Sequence, residues 1–161
     1  MKKLACALVL LTSVSSFAQK ESAEARKQVT EYFRLLASSI EQGNMKAIES
    51  LLDPSYTSVD LNGKHMNLAQ CKVMWAEGMS MMKNMKVSFN VKNVQLQKME
   101  ASVWYEMKMS GVIGTGKEAQ KVSFTTRHCD TLVNKNGWKA VYSMELPTNE
   151  PWSFKTEGGG R

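Results

Sequence analysis

The chain has 161 residues, the length of one domain, and its 43% hydrophobic and 22% charged content excludes a disordered or low-complexity polymer. A net charge of +6 arises from 21 basic against 15 acidic residues, with the lysines scattered among glutamates. That pattern lacks the clustered basic stripe of a nucleic-acid interface, so nucleic acid is not expected as a partner.

Residues 1–18 read as a secretory signal peptide. Lys2 and Lys3 precede the apolar run LACALVLL, and small residues at 16 and 18 suit cleavage. The apolar run is too short to span a bilayer, so no membrane association is expected once the leader is removed. The expected location is therefore periplasmic or secreted, with a mature domain over 19–146 and a flexible C-terminal tail over 147–161. Cys71 and Cys129 then meet an oxidising compartment, which leaves a single disulfide and two free thiols both open.

Along the mature chain, residues 21–42 predict a helix, because Val29, Phe33, Leu36 and Ile40 form one apolar stripe. Gly43 ends it, and Asn44 caps a second short helix carrying Ile48, Leu51 and Leu52. Pro54 closes that helix, and Tyr56–Val59 predicts a short strand. Asp60 follows, with a turn at Leu61-Asn62-Gly63-Lys64. Asn67 and Gln70 form a capping box for a third helix lined by Leu68, Cys71, Met74, Trp75 and Met82. The methionines from Met74 to Met85 make a pliable apolar surface, read as core rather than as a metal-ligating set.

From Lys86 the period changes to two. Val87, Phe89 and Val91 alternate, Val94 and Leu96 continue on the other parity, and a bulge is expected at Lys92-Asn93. Val103, Tyr105, Met107 and Met109 alternate next, and the glycine-rich Gly111–Gly116 is expected to be a hairpin connection. Residues 119–133 form another strand, Asn134–Gly137 a hairpin turn, and Trp138, Ala140, Tyr142, Met144 and Leu146 one face of the last strand. Helices followed by antiparallel strands define an α+β class with helices on one face of a sheet. A curved sheet half-covered in this way leaves a conical hollow, a natural place for a small apolar or aromatic ligand.

IEQGNMKAIESLL, YTSVDLNGK and FTTRHCDTLVNKNGWKAVYSMEL resemble the nuclear transport factor 2-like superfamily, and within it the SnoaL-like and steroid-isomerase-like branch. The resemblance covers about residues 26–146. It implies a cone-shaped α+β barrel with a pocket between sheet and helices, and a homodimer formed through the outer sheet face. In steroid-isomerase-like members a carboxylate base precedes the glycine turn, and a tyrosine on the first helix and a protonated acid on a late strand stabilise the oxyanion. By that resemblance Asp60 matches the base, Leu36 stands at the tyrosine position, and Cys129 at the position of the acid. Two of the three parts are thus absent. Tyr32, one helical turn before Leu36, and Asp130, beside Cys129, are the available substitutes. A one-residue offset along a strand points Asp130 to the opposite face unless a bulge intervenes.

Asp60 accordingly has two readings, a general base in a pocket and a side chain accepting hydrogen bonds within its own turn. The expected pocket residues are Tyr32, Leu36, Tyr56, Trp75, Tyr105, Cys129 and Tyr142, although periodicity does not separate pocket lining from core. His128 and Asp130 share one strand face and could act as a base and its orienter. His65 and His128 lie far apart without a ligand-spacing motif, so no metal and no cofactor are expected. The sequence supports an exported domain binding a small hydrophobic molecule. The alternatives are an isomerase, cyclase or dehydratase-type enzyme using Asp60, and a dimeric interaction module.

Overall fold

The structure is a computed structural model that describes the backbone of residues 5–154 and the side chains of residues 22–154. The expected leader, residues 1–18, falls outside the residues whose side chains are described. Helix α1 runs Ala5–Glu41, α2 Met45–Ser50 and α3 Leu68–Met81. The strands are β1 (Leu52–Val59), β2 (His65–Asn67), β3 (Met82–Gln97), β4 (Glu100–Ile113), β5 (Gln120–Asn134) and β6 (Trp138–Leu146). They form one curved, unclosed six-stranded sheet in the order β2-β1-β6-β5-β4-β3, with the helices packed on it. The α+β class follows as expected. The sheet is mixed rather than wholly antiparallel, because β1 runs parallel to β6.

Local chemistry sets the boundaries. Asn44 accepts a hydrogen bond from the Ala47 amide and caps α2. Asn67 and Gln70 satisfy each other's backbone amides at the start of α3. The expected bulge is present, since Val91 pairs with Tyr105 and Asn93 with Trp104, leaving Lys92 over. Three boundaries differ from expectation, the first being that β3 begins at Met82, a residue expected on the third helix. Strand β1 begins at Leu52, and Pro54 sits where the β1–β6 register breaks, so its missing amide costs no ladder bond. Gly111 lies inside β4 rather than in the connection. A Cβ there would meet Met82 Cγ at 2.5 Å and Sδ at 2.7 Å, so glycine lets Met82 lie flat on the strand.

The core lies between α1 and the concave face. Val29, Tyr32 and Phe33 are buried on α1, and Phe33 packs on Tyr105 at 4.7 Å and on Phe89 at 5.2 Å between ring centroids. Each such burial is worth roughly 1.5–3 kcal/mol. Beyond it, the Glu41 carboxylate at the end of α1 accepts from the Val87 amide (2.9 Å) and pairs with Lys86 (3.6 Å), fixing the helix against β3.

The convex face is closed differently. Residues 147–154 leave β6 without regular structure and lie across it. Phe154 meets Trp104 edge-on at 5.8 Å, Trp152 stacks on Phe154, and the Arg127 guanidinium sits 4.7 Å over the Trp152 ring. Arg127 also donates to the Glu150 carbonyl (2.7 Å), and Gln95 to that of Phe154 (3.0 Å). Trp104 is only 1% exposed as a result. This is the face through which the resemblance implies a dimer.

Candidate functional site

Between the concave face and the helices lies a cavity of about 540 Å³. Eight of the chain's twelve methionines line it, among them Met79, Met82, Met107 and Met109. Of the residues expected at a pocket, Tyr32, Leu36, Tyr56, Trp75 and Tyr105 border it, and so does Asp60. Cys129 and Tyr142 are not among the lining residues.

Strand parity explains both departures. On β5 the even-numbered residues face inward: Phe124, His128 and Asp130 line the cavity, and Leu132 is fully buried. The β4–β5 register is unbroken, so Cys129 points outward together with Trp104, its direct partner. No bulge on β5 is needed to bring Asp130 inside. Counting back from the hairpin turn located the right region of the strand and the wrong face. Its signal was in the sequence, because Val122, Phe124 and Leu132 are apolar at even positions, whereas Lys121, Ser123, Thr125 and Arg127 fill the odd ones.

Tyr142 is displaced by a bulge in β6. Thr131 pairs with Tyr142 and Leu132 with Ala140, which leaves Val141 as an extra residue. Trp138 and Ala140 are buried inward before it; Ser143 and Glu145 face inward after it, where unbroken alternation would place Tyr142 and Met144. Cys71 and Cys129 therefore lie on opposite sides of the sheet, and both are free thiols. The Cys71 Sγ is 3.2 Å from Ser58 Oγ, and burial pushes the Cys129 thiol up to about 12.

Asp130 is the centre of the polar end. It lies between Val103 on β4 and Ser143 on β6, and is 4% exposed. The Tyr105 hydroxyl donates to its Oδ2 at 3.1 Å, and Oδ1 has no hydrogen-bond partner. Burial raises its carboxyl to about 7, with the neighbouring Ser143 and Tyr105 hydroxyls pulling the other way. Tyr32 from α1 and Tyr56 from β1 also face it: burial raises both phenols, and the Asp130 charge raises them further. The substitutes for the missing isomerase-like positions, Tyr32 and Asp130, thus meet at one place.

His128, one step along β5, stacks on Tyr105 at 5.4 Å between centroids. Its Nε2 is 2.9 Å from Thr126 Oγ1, and its Nδ1 is buried without a partner. Burial pushes the imidazole down to about 4, so it is neutral at neutral pH. His128 and Asp130 share one face of β5 as expected, but that face is the inner one and not the side opposite the cavity, and each is held by other residues. Glu145, the cross-strand partner of His128, also lines the cavity. Sequence reasoning missed Glu145 and Ser143 because the Val141 bulge reverses their parity.

Asp60 is engaged in its own turn. Its Oδ1 accepts from the Asn62 and Lys64 amides, both at 2.9 Å, and its backbone carbonyl from the Gly63 amide at 3.0 Å. Gly63 takes φ +75°, a conformation that glycine adopts without strain. One carboxylate oxygen is left outside this network.

No family model and no curated protein sequence matches the chain. Solved structures do. A candidate dehydratase of the nuclear transport factor 2-like family from Streptomyces avermitilis shares 14% identity over 76% of this chain and 97% of its own, with a TM-score of 0.63. A nuclear transport factor 2-like superfamily protein from Salmonella enterica serovar Typhimurium shares 14% over 86% and 99%, with a TM-score of 0.66. A protein of unknown function of the same type from Shewanella oneidensis shares 11% over 75% and 98%, with a TM-score of 0.57. The chain has the nuclear transport factor 2-like fold.

Proposed function

We propose that the chain is an exported binding domain whose cavity takes up a small, mostly apolar molecule and orients it at the Asp130 end. The observation that carries this reading is a largely apolar hollow ending in a buried carboxyl with one oxygen unpartnered. A buried acceptor left alone costs about 1–3 kcal/mol, a cost that a donor on a ligand would relieve. Methionine side chains suit such a role, because their unbranched thioethers repack around different shapes.

The test is native mass spectrometry of the protein purified from its own host, paired with a Gly78→Leu variant. Gly78 borders the cavity, and a Cβ there meets nothing within 4 Å, so this position can take a side chain that narrows the space. The expected result is a retained small molecule in the wild type and its loss in a fully folded variant. Equal retention by both would place the ligand elsewhere and end this reading.

A second reading has one observation in its favour. Asp60 and Asp130 border the same cavity, a carboxylate with a spare oxygen and an acid held near neutrality by burial. In an isomerase, cyclase or dehydratase-type enzyme, Asp60 would take the proton, and protonated Asp130 with Tyr32 or Tyr105 would hold the developing oxyanion. Asp60→Asn keeps the turn acceptor and would abolish turnover. Unchanged ligand retention in that variant, with no chemistry in the wild type, favours the binding role.

A further inference from the structure

The cavity is charged in one sense only. Among the described residues, Asp60, Asp130 and Glu145 line it, and no lysine or arginine does. The single basic side chain there, His128, is buried and neutral. This is the reverse of the whole molecule, whose net charge is +6.

Asp130 is 4% exposed and keeps Oδ1 without a partner. The groups facing it are hydroxyls: Tyr32 from α1, Tyr56 from β1, Tyr105 from β4 and Ser143 from β6. Glu145 lies one inward step along β6 from Ser143, beside His128. Inward neighbours on a strand are about 6.6–6.8 Å apart, so Asp130 and Glu145 form two tiers of acceptors on one wall. Aromatic rings line the same cavity, the Tyr56–Trp75 pair at 5.9 Å and the Phe89–Tyr105 pair at 5.4 Å between centroids.

From this arrangement we infer that the cavity selects organic cations, an apolar or aromatic body carrying an ammonium group, over neutral and anionic molecules of the same shape. The inference rests on the binding role proposed above and names the ligand class. The physical argument has two sides. An ammonium group meets the Asp130 and Glu145 carboxylates as a counter-charge, while the aromatic rings attract the positive charge and the methionines accommodate the hydrocarbon. A carboxylate or phosphate ligand would be buried beside acids with no counter-charge, which low-dielectric surroundings make prohibitive.

The test is calorimetric titration with three probes of one skeleton: 1-naphthylmethylamine, protonated below about pH 9, 1-naphthylmethanol and 1-naphthoate. They are titrated at about pH 8, where Asp130 is ionised, against wild type, Asp130→Asn and Asp130→Asn/Glu145→Gln. The amine should bind about tenfold or more tighter than the alcohol, with the naphthoate weakest. The double variant should lose the preference for the amine, the ratio of amine to alcohol affinity falling to about one. A second reading protects against misfolded variants. At about pH 6.5, amine binding to the wild type should release protons, seen as a dependence of the observed heat on the buffer's ionisation enthalpy, because the cation favours the charged form of Asp130.

Each outcome decides. If the alcohol matches or beats the amine, or the preference survives both substitutions, charge selection is wrong while the binding role stands. Amine binding without proton release at about pH 6.5 removes Asp130 from the recognition. If no probe binds at all, the binding role and its cationic preference fail together.

Discussion

The two faces of the sheet are made from alternate residues of the same strands, and they are finished in opposite ways. On the convex face the charges beside the 147–154 arm are paired. Glu106 pairs with Lys92 (2.9 Å) and Arg127 (3.3 Å), Arg127 reaches the Glu150 carbonyl, and the aromatic residues of the arm roof over Trp104. On the concave face Asp130 and His128 border the cavity, and each keeps one buried polar atom unmatched. The convex side has the character of structure that has been completed. The concave side holds its polar atoms in reserve, and unpaired buried polar atoms are the rarer, more informative kind.

The largest test of that contrast concerns Trp104. If the arm and Trp104 complete the convex face, Trp104→Ala should cost about 3–5 kcal/mol in denaturant unfolding. A loss under 1 kcal/mol would mean the arm does not hold this face closed.

The concave face should reveal itself through pH. Asp130 moves from 3.8 to about 7 on folding, so the folded state holds a proton that the unfolded chain releases, and its contribution to stability falls as pH rises from about 4 to about 7. The full swing is on the order of 4 kcal/mol. His128 moves from 6.5 to about 4, so the unfolded chain takes up a proton that the fold refuses, and its contribution falls as pH drops over nearly the same window. The two slopes oppose each other, and the wild-type profile between about pH 4 and 6.5 should be shallow. Asp130→Asn should expose the histidine slope, with stability lost towards acid. His128→Gln should expose the aspartate slope, with stability lost towards neutrality. Denaturation midpoints across this range check both, and parallel profiles for all three proteins would refute the assignment.

A smaller effect is expected at the arm. Phe154→Ala should cost roughly 1–2 kcal/mol, because Phe154 is partly exposed and loses only its contacts with Trp104 and Trp152. It should also shift Trp104 emission to longer wavelength. Smallest is the turn at residue 60. Asp60→Ala should lower stability by roughly 0.5–2 kcal/mol through loss of its two backbone donors, and Asp60→Asn should be tolerated.

Much of the fold could be read from the residues, and the reasons are local. The capping box at Asn67 and Gln70, the Asn44 cap, the bulge at Lys92 and the Asn-Gly turn before Trp138 each act over a few residues, so composition alone reveals them. The candidate site was legible as a region and not as a set of side chains. A period of two says that neighbours differ, not which of them faces the helices. Cys129 was therefore placed where Asp130 stands, and Tyr142 where Ser143 and Glu145 stand. The first could have been decided by the apolar even positions of β5. The second could not, because nothing in Ala140-Val141-Tyr142 marks an extra residue; the bulge exists to let β6 serve β5 and the parallel β1 at once.

That single additional residue carries a consequence for how the hollow could change character. Drawing Val141 into the ladder opposite Thr131 would turn the last stretch of β6 over, presenting Tyr142 and Met144 to the interior and sending Ser143 and Glu145 out to the convex face, whereas deleting Val141 would only remove the bulge. A less polar wall would result from a one-residue slip of the strand, with no substitution at any lining position. Within this architecture the ligand preference of the chamber is thus adjustable by strand arithmetic as readily as by altering the side chains themselves.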